Sequence, residues 1–271
     1  MELKDKTIIV AWDFSNVADY AMQHAIRFAK IIGSKVSLLH IIDKDATEIE
    51  SRIKIVVDDA EKKYGFRPDY ILQEGSIFSA ITDVANSLDA LFVFMGTHGI
   101  KGMQKITGSW ALKVIEGSKM PFIVVQRPPK DEHFENIVFP IDYKKEDKQK
   151  VVWAVYLNKY FKSKIFLYIQ KSSDANLKKQ IHSNSVFTKS VLDKNKIEYI
   201  QVEDDGKKDF SDNVIEYADS INANAILITT SRKLDITDYM FGATEQKIIA
   251  NKKLISVITV FPKEGRYASF I

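Results

Sequence analysis

Apolar residues in this chain fall into ten short, nearly unbroken runs separated by stretches of helical period. In the first half the runs are 7–12, 35–42, 69–74, 90–95 and 121–126. In the second they are 136–141, 164–170, 197–203, 225–230 and 255–261. They are almost all Val, Ile, Leu and Phe and do not alternate with polar residues, which is the pattern of parallel strands covered on both faces. Between the first two runs, Ala18, Ala21, Met22, Ala25, Phe28, Ala29 and Ile32 recur at i, i+3, i+4, i+7. This predicts an amphipathic helix, with Gly33 placed to end it. Ile77, Ile81, Val84 and Ala85 repeat the pattern after Ser76, a predicted N-cap. Strands alternating with helices predict right-handed βαβ crossovers in an open α/β sheet. Ligands bind such sheets at the carboxyl ends of the strands.

The pattern also repeats itself. TIIVAWD at 7–13 corresponds to NIVFPID at 136–142, an offset of 129 residues. Ser34-Lys35-Val36 and Ser163-Lys164-Ile165 keep that offset, as do Tyr70-Ile71 and Tyr199-Ile200. Later matches drift to offsets of 134 and 135, as loop insertions would produce. The expected organisation is two homologous halves, 1–127 and 135–262, with a short tail at 263–271. They are joined by a linker near Pro128-Pro129. The expected fold class is α/β, two tandem open five-stranded parallel-sheet domains.

Composition narrows the chemistry. The 271 residues carry a net charge of only +3, and no basic stripe is visible, so nucleic acid is not an expected partner. There is no cysteine, which excludes disulfides, thiolate metal sites and a Cys nucleophile. The apolar runs are strand-sized, far short of the roughly 20 residues that cross a bilayer. A cytoplasmic protein with no membrane association is the expectation. The charged segments 144–150 and 204–209 read as helix starts or loops facing water.

One stretch carries chemistry. The run 91–95 leads into MGTHGIKGMQKITGSWALKVI, which holds Gly96, Gly99, Gly102 and Gly108, four of the eleven glycines in the chain. Ser109 then opens a helical pattern. A glycine loop on a strand end that feeds a helix N-terminus can cradle phosphate, because its free N–H groups point outward. The same loop also reads as an ordinary surface loop. There is no Walker loop, no G-x-G-x-x-G after the first strand and no nucleophile elbow. Asp13 at a strand end reads either as a ligand group or as a cap for the helix that Ser15 opens. Trp12 and Trp110 read as core residues or as stacking platforms. His98 has no partner acid or nucleophile nearby in sequence, so no catalytic residue is expected. Lys101 and Lys105 read as solvated charges.

The paired halves, the Asp closing the first strand and the G-x-x-G…G-S before a final helix and strand resemble the universal stress protein family, tandem-domain type. The resemblance implies an adenine nucleotide such as ATP, with Mg2+, as the ligand of the N-terminal half. It implies a regulatory module with at most slow ATP hydrolysis. It places the nucleotide contacts on Ala11, Trp12, Asp13, Ile41, Met95, Gly96, His98, Gly99, Gly108, Ser109 and Trp110. It further implies an internal pseudo-dimer through the last strand of each half, and a homodimer is open. Here Gly99 is followed by eight residues before Gly108, where the family has nine. The second half keeps Asp142 but has no glycine between its fourth strand and Gly242. It is therefore expected not to bind nucleotide through that loop. The alternative is a stress-response interaction scaffold, with unidentified protein partners and no working nucleotide site.

Overall fold

The computed structural model describes residues 6–42, 46–97, 108–115, 118–130, 134–230 and 243–262. The chain divides into two compact units, Met1–Glu132 and His133–Ile271. The tail at 263–271 lies outside the described residues.

The N-terminal unit runs β1 (Thr7–Ala11), α1 (Asn16–Ile32), β2 (Lys35–Ile42), α2 (Thr47–Tyr64), β3 (Asp69–Glu74), α3 (Ile77–Ser87), β4 (Phe92–Gly96), α4 (Gly108–Ile115) and β5 (Phe122–Val125). Its strands lie in the order β3-β2-β1-β4-β5, with every neighbouring pair parallel. The central strands are buried along their length because helices cover both faces, so their sequences are continuously apolar. The chain walks from β1 to β3 in one direction, then returns across the sheet to β4 and β5. Right-handed crossovers therefore put α1 and α2 on one face and α3 and α4 on the other. The α1 face is sealed by Phe28, which meets Phe92 and Phe94 edge-on at ring separations of 5.7 and 5.1 Å.

The helix boundaries follow the expected local chemistry. The Ser15 side chain accepts a hydrogen bond from the Ala18 N–H and caps α1. Gly33 ends the helix in the left-handed region at φ 73°, its N–H bonded to the Ala29 carbonyl. Ser76 precedes α3 and accepts bonds from the Ser79 and Ala80 N–H groups through its carbonyl. The helix α4 starts at Gly108, so Ser109 stands inside its first turn.

The C-terminal unit repeats the order. It comprises β6 (Asn136–Ile141), a 3₁₀ turn (Lys145–Lys150), α5 (Val151–Phe161), β7 (Lys164–Ile169), α6 (Ala175–Lys194), β8 (Tyr199–Glu203), α7 (Phe210–Ser220), β9 (Ala225–Thr229), α8 (Ala243–Ile249) and β10 (Ser256–Val260). Strand neighbours run β8-β7-β6-β9-β10, again parallel. One expectation fails here. The charged segments do not simply face water, because Asp147, Lys150 and Asp204 are buried. Packing of other elements onto them overrides their local polarity.

Candidate functional site

In the N-terminal unit β1 pairs with β2 on one side and β4 on the other, and the chain leaves β1 and β4 in opposite directions. This is a topological switch point, where the loops diverge and leave a crevice. Register fixes what lines it. Ala11 is opposite Met95, so the residues after each leave the sheet side by side. Ala11 is half-buried, Met95 and Gly96 are buried, and Asp13 is exposed.

Gly96 has a structural reason to be glycine. A Cβ built there would run into the Val17 carbonyl and stand 2.8 Å from the Val17 Cβ. The first turn of α1 thus packs directly on the backbone of β4, which brings the start of that helix to the crevice. Thr97, at the root of the glycine loop, donates its N–H to the Val125 carbonyl. Its hydroxyl is buried and has no hydrogen-bond partner among the described residues.

Asp13 and Ser15 build the turn into α1. The Asp13 Oδ1 accepts the Ser15 N–H at 3.0 Å, and Ser15 then caps the helix. One carboxylate oxygen is thereby occupied by the turn. Asp13 remains exposed and, among the described residues, pairs with no cation.

The Trp12 indole turns inward. It is 7% exposed, meets the Phe14 ring edge-on at 5.9 Å and lines a groove between α1 and α2. Its backbone completes the junction with β2: the N–H donates to the Leu39 carbonyl, and the carbonyl accepts His40 Nδ1–H at 2.7 Å. Of the two readings for this residue, core is the one its side chain adopts. Ile41 and Ile42 pair with Gln73 and Glu74 of β3 and have no β1 residue opposite them, since the β1 ladder ends at Ala11–Leu39. The Ile41 backbone therefore extends past the end of β1.

Three residues that sequence reasoning passed over stand beside this junction. Phe14 adopts φ 61°, uncommon for a bulky side chain. Its ring meets His40 edge-on at 5.0 Å, and the Arg52 guanidinium lies 4.2 Å from its centroid. No motif announces this cluster; only the positive φ, invisible in sequence, brings the three together. His98 and Gly99 lie outside the described residues, as do the side chains of Ser109 and Trp110. Gly108 and Ser109 are placed by their backbone at the start of α4.

The matching place in the C-terminal unit is filled by the protein's own charges. Asp142 follows β6, and its Oδ1 accepts the Lys144 N–H at 2.8 Å. Asn184 of α6 donates to the carbonyls of Asp142 and Lys144 at 2.7 and 2.9 Å. The Lys144 ammonium donates to Glu245 Oε1 at 2.5 Å and stands 3.9 Å from Asp142 Oδ2. Glu245 belongs to the first turn of α8, the counterpart of α4. Beneath this pair, Lys150 bonds the Pro140 carbonyl at 2.6 Å and pairs with Asp147.

Burial governs the protonation of this cluster. Desolvation raises Asp142 above the usual carboxylate range against the pull of Lys150 and Lys144. It pushes Asp147 up to about 7, although Lys150 opposes it. For Lys144, burial pulls downward, but Glu245 and Asp142 together hold it above the ordinary lysine value.

A parallel five-stranded α/β unit, with an acidic residue after β1 and a glycine closing β4, defines a Rossmann-like fold class. Residues 5–126 match the model of the universal stress protein family. Two universal stress proteins of Methanocaldococcus jannaschii are similar to this chain. One is 26% identical over 159 residues, covering 47% of this chain and 98% of the relative. The other is 28% identical over 145 residues, covering 46% of this chain and 85% of the relative. The fold is shared more widely. A universal stress protein structure from Archaeoglobus fulgidus matches 94% of this chain and 98% of its own length, with a TM-score of 0.69 at 16% identity.

Proposed function

We propose that the N-terminal unit binds an adenine nucleotide, ATP or a close relative, in the crevice between the carboxyl ends of β1 and β4. The observation that carries this reading is the register of Ala11 against Met95. It sets the residues that follow β1 beside Gly96 and Thr97 at one switch point, which supports this reading because open α/β sheets take their ligands there. The exposed Asp13 carboxylate and the Ile41 backbone border the adenosine end. The loop from Gly96 to Ser109, with the start of α4, takes the phosphates through backbone N–H groups. The buried Thr97 hydroxyl at the root of the loop supports a polar ligand there, because a buried hydroxyl without a partner is costly. Among the described residues no cluster of three or more His, Asp or Glu could hold a metal. Mg2+ would arrive on the nucleotide, keeping waters and phosphate oxygens as ligands.

The role that follows is regulatory: the unit reports nucleotide by binding it. The C-terminal unit is the non-binding half of this reading, and the Lys144–Glu245 pair across its strand end supports that. Calorimetric titration of the full chain with ATP and Mg2+ tests both parts. Saturation at about one nucleotide per chain is expected, weakened by about tenfold in Asp13→Ala, equivalent to about 1.4 kcal/mol. No heat and no thermal shift up to millimolar ATP would overturn the nucleotide reading. Two nucleotides per chain would overturn the reading of the C-terminal half.

A further inference from the structure

Among the described strands, β3 stands at the end of its sheet, with β2 on one side. A strand turns the N–H and C=O of alternate residues to opposite sides, so every second residue of β3 points these groups away from β2. Such an edge is a template for a further strand. One face of β3 is covered by α2, where the Tyr70 hydroxyl donates to Glu50 Oε1 at 3.0 Å. On the other face α3 packs against β2 and α4, and the Thr82 hydroxyl donates to the Val114 carbonyl at 2.6 Å. A different side of α3 lines a groove of about 300 Å³ beside the end of β3. Ser79, Asp83 and Ser87 stand along it at i, i+4 and i+8, facing Gln73 and Glu74 of the strand. An open edge beside a side-chain groove is what strand addition uses: backbone bonds give the affinity and the groove gives the selectivity.

The lining says which strand fits. Glu74 and Asp83 are exposed carboxylates, which only accept hydrogen bonds. The Ser87 hydroxyl donates to the Val84 carbonyl at 2.9 Å, which leaves its oxygen as an acceptor. Gln73 Nε2 donates to the Glu74 carbonyl at 3.0 Å, which leaves its amide oxygen. Among the described residues no lysine or arginine lines the groove. Asp69, exposed at the start of β3, adds a carboxylate at the far end of the edge. Charges on an edge repel strands of the same sign, so this edge rejects acidic segments and admits basic ones. We propose that the β3–α3 groove binds an extended basic segment of another protein, added to the sheet beside β3, with its lysine or arginine side chains on Glu74 and Asp83. This reading does not depend on the nucleotide proposal.

The test uses the 15N-labelled full chain without nucleotide, and a peptide about eight residues long that alternates valine with lysine. One control is the same peptide methylated at every backbone nitrogen, which offers no N–H to the edge. The other carries glutamate in place of lysine. Saturable shifts of the β3 and α3 amides are expected with the lysine peptide alone. Asp83→Lys and Glu74→Lys, both at exposed positions, should each weaken its binding by about tenfold. The proposal is overturned if no β3 amide moves with the lysine peptide up to about 1 mM. It is equally overturned if either control binds as tightly, or if both variants titrate like the parent.

Discussion

At Gly96 the missing side chain is what lets α1 sit on β4. Any Cβ there meets the backbone of Val17, which cannot swing aside as a flexible side chain would. Gly96→Ala is therefore expected to destabilise the protein by about 1–3 kcal/mol, the usual range for overpacking. Urea denaturation measures it, and a midpoint unchanged from the parent would show that α1 can yield. The sequence shows that Gly96 opens a glycine-rich stretch, and from it the glycine reads as access for a ligand. The residue that actually needs it glycine is Val17, 79 positions earlier in the chain. Spacing along a sequence carries no trace of such a contact. The Asp13–Ser15 turn is the opposite case. Both residues are adjacent to the helix they cap, and the cap reading was available from sequence alone.

The 3₁₀ turn Lys145–Lys150 shows the same divide among the elements. The central strands were legible because strands covered on both faces must be apolar throughout, and a run of Val and Ile states this locally. A run such as KEDKQK states only that its residues are polar; whether water or protein surrounds them depends on what packs there later. Here Lys150 ends up 2% exposed against the Pro140 carbonyl and the Asp147 carboxylate, with the Phe139 ring 4.6 Å from its ammonium. A buried pair of this kind adds little net stability, but breaking it leaves a charge in a dry site. Lys150→Ala should cost about 3–5 kcal/mol in thermal or chemical denaturation. Lys150→Met together with Asp147→Leu should recover most of that loss. A double variant as unstable as the single one would mean that the bond to Pro140, and not the ion pair, holds the turn.

Across the whole molecule the two units respond to pH in opposite senses. In the N-terminal unit His24 is buried and pushed down to about 4, first by desolvation and also by the charges of Arg27 and Arg127. Its Nε2–H donates to the Arg127 carbonyl at 3.2 Å, a bond that works the other way and does not win. The unfolded chain takes up this proton below about 6.5 and the folded chain does not, so stability is full above pH 6.5 and is lost as pH falls toward 4. The shift corresponds to about 3 kcal/mol. In the C-terminal unit the raised Asp147 reverses the sign. The folded state holds its proton above the ordinary aspartate value and the unfolded state releases it, so this contribution is present below about 4 and is lost as pH rises toward about 7. Equilibrium denaturation between pH 4 and 8 separates the two. His24→Gln should flatten the acid arm and leave the neutral arm unchanged, while Asp147→Asn should flatten the fall toward neutrality and leave the acid arm unchanged. If His24→Gln keeps the parent's acid slope, the imidazole is protonated in the folded state and the desolvation argument for it fails. If Asp147→Asn keeps the neutral slope, Lys150 holds that carboxylate ionised throughout, and the charge cluster at the end of β6 is a fixed closure with no proton to release.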